Sequence, residues 1–139
     1  MDNKLITYSD GGARGNPGPA GIGFVMYDTS GKLLKKFKHY LGVATNNQAE
    51  YQALIAALRE ANRLGFDRVV CYLDSELVVR QLTGKYKIKE AGLKPLAAEA
   101  LALTRKFLQV DFVHVPREKN KLADQLVNEV LDEAEVNEP

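Results

Sequence analysis

Residues 4–9 (KLITYS) form a short β-type run, 21–27 (GIGFVMY) a short apolar one, and Leu33, Leu34, Phe37 and Tyr40 mark a third extended stretch after a turn at 28–31. Segments of this length, rich in β-branched and aromatic residues and joined by short turns, predict an antiparallel meander of three strands. Asp10, Gly11 and Gly12, followed by Gly15, Pro17, Gly18 and Pro19, predict that the first strand stops at residue 9 and gives way to a loop. From Thr45 the apolar period lengthens to that of a helix, with Ala49, Ala53, Leu54, Ala57, Leu58, Ala61 and Leu64 on one side and Gly65 as its stop.

The second half repeats the change of period. Residues 69–73 (VVCYL) are continuously apolar, as in a parallel strand covered on both faces. A short helix is expected over 76–82, closed by Gly84, and a longer one over 93–108 with Pro95 in its first turn, where proline is tolerated. Residues 110–115 alternate as a strand. A last helix runs from 119 or 120 through 131 on a stripe of Leu122, Leu126 and Val130. The order β-β-β-α-β-α-α-β-α predicts an α/β fold, a mixed sheet with helices packed on it. No repeat or linker divides the chain, so residues 1–139 are expected to form one domain, with 132–139 as an acidic, flexible tail.

Composition narrows the classes of function. With 139 residues, 45% apolar, 27% charged, 11 glycines and 5 prolines, the chain is neither disordered nor low-complexity. It has no apolar run of membrane-spanning length and no basic-then-apolar start, so a soluble protein outside the secretory route is expected. The lone Cys71 can form neither an internal bridge nor a zinc cluster, which fits a reducing cytoplasm. A net charge of +1 gives no global attraction for polyanions. Charge is nevertheless uneven: Arg80, Lys85, Lys87, Lys89 and Lys94 face a single acid, Glu90, whereas 129–139 holds five acids and no base.

The chemistry lies in acids that occupy places suited to apolar residues. Asp10 follows Ile6 and Tyr8 on one strand face, and Asp74 follows Val70 and Tyr72. Glu50 lies one turn before Leu54 on the buried stripe of the long helix, and Asp124 precedes Val127 and Leu131 on the last one. Taken singly, Asp10 also suits a turn and Asp124 a helix start. Together, four acids at the ends of elements facing one sheet would raise one another's pKa unless a hard divalent cation, Mg²⁺ or Mn²⁺, relieved the repulsion. Two such ions sharing one carboxylate suit phosphodiester hydrolysis. A calcium loop starting at Asp10 fails because its twelfth position is Gly21, the glycine loop lacks the lysine of a P-loop, and no serine or cysteine triad is visible.

These residues carry a resemblance. The run from Tyr8 to Gly21 (YSDGGARGNPGPAG) resembles the opening motif of type 1 ribonuclease H, TNNQAE at 45–50 its helix-borne glutamate motif, Asp74-Ser75 its second aspartate motif, and NKLAD at 120–124 its last. The resemblance implies a five-stranded mixed sheet, three antiparallel strands then two parallel, flanked by helices. It also implies Mg²⁺-dependent endonucleolytic cleavage of the RNA strand of RNA/DNA hybrids, by a protein expected to act as a monomer. By position, Asp10 would bridge two ions, Asp124 would hold the one bearing the attacking water, and Glu50 and Asp74 the other. Gly11, Gly12, Arg14, Asn16, Asn46, Asn47 and Gln48 would contact the hybrid, where 2′-hydroxyls are read across the minor groove.

Two departures bear on substrate affinity and turnover. The better-studied bacterial members carry a basic protrusion, for which only the stretch from Gly84 to Leu93 is available here, with Lys85, Lys87 and Lys89 as partial replacements. They also carry a histidine before the last aspartate. Residues 115–119 (VPREK) hold none, His114 falls inside a strand, and Arg117 is the expected substitute. A competing reading is a module of this fold that binds hybrid or double-stranded RNA with little catalysis. The full set of acids argues against it, because a pure binder gains nothing from negative charge facing phosphates.

Overall fold

A computed structural model of the chain describes residues 3–137. Strands β1 (Lys4–Ala13), β2 (Gly18–Tyr27) and β3 (Leu33–Ala44) are followed by α1 (Asn46–Arg63), β4 (Arg68–Leu73), α2 (Glu76–Leu82), α3 (Lys94–Thr104), β5 (Gln109–His114) and α4 (Lys121–Asn137). A single 3₁₀ turn, Arg117–Lys119, precedes α4. The sheet order is β3-β2-β1-β4-β5, with β1, β2 and β3 antiparallel and β4 and β5 parallel to β1. This is the mixed five-stranded α/β sheet that the sequence predicts. Among the described residues no helix is long and apolar enough to cross a membrane.

The largest departure is at the end of β1. The strand does not stop at residue 9 but runs on through Asp10, Gly11 and Gly12, which pair with Gly23, Ile22 and Gly21 of β2. Glycine here serves close approach rather than a turn: a Cβ on Gly11 would lie 2.1 Å from the carbonyl oxygen of Ala49. Gly23, beside Asp10 in the ladder, does the same on the opposite face, where a Cβ would lie 2.8 Å from Leu126 Cβ and 2.9 Å from the carbonyl oxygen of Ala123. Two helices thus settle onto the two faces of the sheet at Asp10.

Helix α1 starts where the sequence places it. Thr45 caps it through a reciprocal capping box with Gln48, and Gly65 follows its end at φ +86°. Its stripe packs with Leu5, Met26, Val69, Leu73, Val78, Leu93 and Ala97 into the main core, each large side chain contributing about 1.5–3 kcal/mol on burial. Tyr51 is fully buried there, and its hydroxyl donates to Gln81 Oε1 at 2.6 Å, tying α1 to α2.

Helix α3 is four residues shorter at its C-terminus than expected. After Thr104 the backbone tightens into i→i+3 bonds, Phe107 turns into the core, and the Leu108 amide donates to Asp67 O at 2.7 Å. Helix α4 differs the other way. Residues 132–137, expected as a flexible tail, are its last turns, and Asp132, Glu133 and Glu135 pair with Arg14 and Lys38. Residues 138 and 139 of that expectation lie outside the described residues.

Candidate active site

Asp10 inside β1, Glu50 near the start of α1 and Asp74 just past the carboxyl end of β4 each offer a carboxylate oxygen, all within 4.8 Å of one another. The strand period brings Asp10 and Asp74 onto one face, where Tyr8 and Tyr72 stack at 4.8 Å two residues earlier. Glu50 reaches them from the first turns of α1, on the opposite side of the sheet. Asp124, in the first turn of α4, lines the same cleft, together with Gly12, Arg14, Asn46, Ser75, Arg117 and Asn128.

The electrostatics are those of a site built for a cation. Asp10 and Glu50 are buried at 7% and 8% exposure. Burial first, then contact with Glu50 and the charge of Asp74, pushes the Asp10 carboxyl far above the usual carboxylate range. Glu50 is raised, chiefly by burial. Asp74 is raised by burial as well, against the opposing effects of a hydrogen bond from Asn120 and the charge of Arg117. Glu50 Oε1 accepts from the Gly11 amide at 2.8 Å, but its buried Oε2 has no donor among the described residues. An unpartnered carboxylate oxygen inside a triad of acids fits a hard divalent ion, which prefers oxygen ligands.

A family of proteins described as reverse transcriptase-like matches residues 8–130. The protein named Ribonuclease HI from Halobacterium salinarum is 45% identical over 131 residues, covering 94% of this chain and 66% of that one. Its crystal structure superposes with a TM-score of 0.91 at 43% identity, covering 94% of this chain and 98% of the other. LC11-RNase H1, whose structure holds an RNA/DNA hybrid, superposes with a TM-score of 0.89 at 48% identity, over 94% of this chain and 98% of that one. The chain belongs to the ribonuclease H family. It spans 36% of the bifunctional protein Rv2228c of Mycobacterium tuberculosis, to which it is 42% identical, and about two-thirds of the Halobacterium relative.

Against the ribonuclease H motifs, the remaining residues fall into three groups. Asn16 and Asn46 join the β1–β2 loop to α1: Asn16 Oδ1 accepts from the Asn46 amide at 3.0 Å, and Asn46 Oδ1 accepts from the Ala13 amide at 2.7 Å. With both oxygens held by the backbone, the two side-chain NH₂ groups make no hydrogen bond among the described residues. Gln48 closes the capping box with its Oε1, while its Nε2 lies where a Cβ on Gly92 would approach to 3.0 Å. Asn47 sits in the same first turn without a side-chain hydrogen-bond partner among the described residues.

The basic residues are more dispersed. Lys85, Lys87 and Lys89 are exposed on the connection between α2 and α3, which holds no helix of its own and is pinned by Ile88 against the core. Near the end of that connection Gly92 lies beside Gln48, but none of the connection's residues lines the carboxylate cleft. Arg117 Nη2 lies 3.4 Å from Asp124 Oδ1 with its side chain 78% exposed. His114 pairs in register with Leu73, which puts it on the face opposite Asp74 and out of the cleft. Arg14 is held by Asp132 and Glu135 at 2.7 Å each.

Asn120 is the functional residue that sequence reasoning left without a role. It is 1% exposed, donates to the carbonyl oxygen of Ser9 at 2.8 Å, and bonds Asp74, while its own carbonyl accepts the Asp124 amide. Asn120 therefore links the residue before Asp10 and the second aspartate through its side chain, and the start of α4 through its backbone carbonyl. Its signal was a short polar amide four residues before Asp124, indistinguishable in sequence from an ordinary helix cap. Asn120→Ala should lower stability by about 1–3 kcal/mol, since the Ser9 carbonyl loses a buried donor. Asn120→Asp, nearly isosteric, should lower it further at neutral pH by setting an acceptor against that carbonyl and Asp74. Thermal denaturation of the two variants checks the order.

Proposed function

We propose that the chain cleaves the RNA strand of RNA/DNA hybrids endonucleolytically, with water as nucleophile and 5′-phosphate and 3′-hydroxyl ends as products. The observation that carries this reading is the convergence of buried Asp10 and Glu50 with half-buried Asp74, with Asp124 in the same cleft and one Glu50 oxygen unpartnered. Asp10, Glu50, Asp74 and Asp124 would hold two Mg²⁺ ions, and Mn²⁺ suits the same oxygens. When bound, such ions supply Lewis-acid activation of water and charge stabilisation at the leaving oxygen.

The chain's own contribution is placement. Gly11 and Gly23 allow α1 and α4 to close on β1 and β2, and the Gly11 amide and Asn120 amide hold Glu50 and Asp74 in orientation. Asn16 and Asn46, each with its oxygen fixed, offer NH₂ donors to acceptors along the minor groove, and Glu50 with the backbone at Gly11 and Gly12 pairs the RNA 2′-hydroxyl. Gln48 and Asn47 add contacts from the same helix turn. Arg117, 3.4 Å from Asp124, is the candidate for assisting product release in place of the family's histidine. A monomer in a reducing cytoplasm suits the fully buried free Cys71.

The reading is tested with a labelled hybrid beside DNA duplex, RNA duplex and single strands, with and without Mg²⁺. Cleavage confined to the RNA strand of the hybrid is expected. In a DNA duplex carrying one run of ribonucleotides, cuts should fall within or at the edge of that run, and 2′-O-methyl groups there should block them, because a site that pairs a hydroxyl rejects its absence. Comparable cutting of all-DNA duplex would sink the specificity. A hybrid bound but uncut in Mg²⁺ would favour the binding module.

Changing Lys85, Lys87 and Lys89 together to alanine should raise KM with little change in kcat. It should also flatten the plot of log affinity against log salt, as lost phosphate contacts release fewer counterions. An unchanged slope would return these lysines to a solvated loop.

A further inference from the structure

The face of α4 that begins at Asp124 continues beyond the carboxylate cluster. Asn128, Asp132 and Glu135 follow at +4, +8 and +11, along one side of the helix. Arg14 lines the cleft together with Asp124, Asn128 and Leu131. Its guanidinium makes a fork onto the far end of this stripe, Nη2 to Asp132 Oδ1 and Nη1 to Glu135 Oε1, both at 2.7 Å. Lys38 answers the neighbouring acids, at 2.5 Å from Glu133 and 3.3 Å from Glu129.

These acids sit where helix electrostatics disfavour them. Carboxylates near a helix C-terminus oppose the macrodipole, at about 0.3–1 kcal/mol each, and the last turn of α4 contains no base. Arg14 and Lys38 supply the compensation from outside the helix. The compensation is weakly held, because Arg14, Asp132 and Glu135 side chains are 35%, 66% and 59% exposed and such pairs contribute about 0–1 kcal/mol. A phosphate accepts the same two-pronged fork as a carboxylate.

We propose that Asp132 and Glu135 form an intramolecular latch on Arg14, occupying in the free protein the guanidinium face that a nucleic-acid phosphate takes in the complex. The proposal rests on the hybrid-cleaving reading for its biological meaning, and on the Arg14 geometry for its physics. Binding exchanges two carboxylates for a phosphate, and the released carboxylates take up cations from solution. The latch therefore weakens substrate binding at low salt and reduces the net counterion release. Lys38 remains with Glu129 and Glu133 throughout.

The test is the double substitution D132N/E135Q in the full chain, in the wild-type and R14Q backgrounds. With Arg14 present, KM for a hybrid should fall about three- to tenfold at low salt with kcat unchanged, and the salt slope should steepen by about one. In R14Q the same pair of changes should do nothing. A fall in KM that persists in R14Q would reduce the effect to general charge and overturn the latch, as would an unchanged or raised KM with Arg14 present. Binding of an all-DNA duplex, read by fluorescence anisotropy, gives an arm independent of cleavage. Tighter DNA binding on D132N/E135Q, dependent on Arg14, with a wild type that cuts no hybrid would sink the proposed activity and keep the latch. Hybrid cleavage by the wild type with no change in either arm would sink the latch alone.

Discussion

Asp10→Asn is expected to abolish hybrid cleavage and, at the same time, to make the metal-free protein more stable. The substitution keeps the shape of the side chain and removes the charge that a shared cation ligand needs, so loss of activity of about 10³-fold or more is expected, comparable to removal of other major electrostatic groups in active sites. Stability moves the other way because the Asp10 carboxyl is raised by burial, by Glu50 and by the charge of Asp74, and the Glu50 carboxyl is raised chiefly by burial, with a further push from Asp74. Their folded pKa values exceed the unfolded ones, so the native state holds more protons than the unfolded chain above about pH 4. Metal-free stability therefore falls as pH rises from the ordinary carboxylate range towards and through neutrality. Asp10→Asn should flatten that fall and raise the melting temperature in EDTA at pH 7–8 by several degrees, whereas Mg²⁺ should stabilise the wild type more than the variant. Melting curves in EDTA and in Mg²⁺ across this pH range check both signs. A clearly lower melting temperature of the variant in EDTA would count against a repulsive cluster.

Gly11→Ala should be the most damaging single methyl group in the chain. Its Cβ would lie 2.1 Å from the Ala49 carbonyl oxygen and 2.6 Å from the Glu50 amide nitrogen, both backbone atoms that no rotamer can move aside. Either α1 shifts outward by an ångström or more or β1 buckles, and both break the 2.8 Å bond from the Gly11 amide to Glu50. Overpacking of this kind costs about 1–3 kcal/mol, occasionally more, and a misplacement of about 1 Å in a positioned site costs about 10²-fold in rate. Thermal denaturation and initial rates on a hybrid should show both losses together. Gly12→Ala is the control: its Cβ would meet Val127 and Asn46 side chains only at 3.7 and 3.9 Å, ordinary contact distances. Equal damage at the two glycines would mean that close helix approach is not the reason for Gly11.

Local signals in the sequence were sufficient for the element order, because each element carries its own period and its own stops. The capping box at Thr45 and Gln48 and the stop at Gly65 delimit α1 without reference to anything distant. Boundaries went astray where a distant partner decided them. Gly11 and Gly12 look like turn residues until β2 pairs with them and α1 rests on them. Helix α3 ends at Thr104 because Phe107 is drawn into a core assembled from α1 and β4. The acids after Leu131 look like a solvated tail until Arg14, 118 residues earlier than Asp132, pairs with them.

The same division runs through the site. Four acids in core-facing positions, in an order that matches a known motif set, were legible because a carboxylate there is costly and therefore conspicuous in one dimension, although Asp10 proves to lie inside β1 rather than at its end. Sequence alone thus determined the α/β class, the strand and helix order, the acids and the kind of ion they suit. Tertiary structure alone decided which oxygens meet within 4.8 Å, that Glu50 arrives from the opposite face of the sheet to Asp10, that Asn120 joins three segments, and that His114 points away. The reason is physical: charge and periodicity are properties of neighbours along the chain, whereas burial, orientation and hydrogen-bond satisfaction exist only once residues distant in sequence share a volume too small for water.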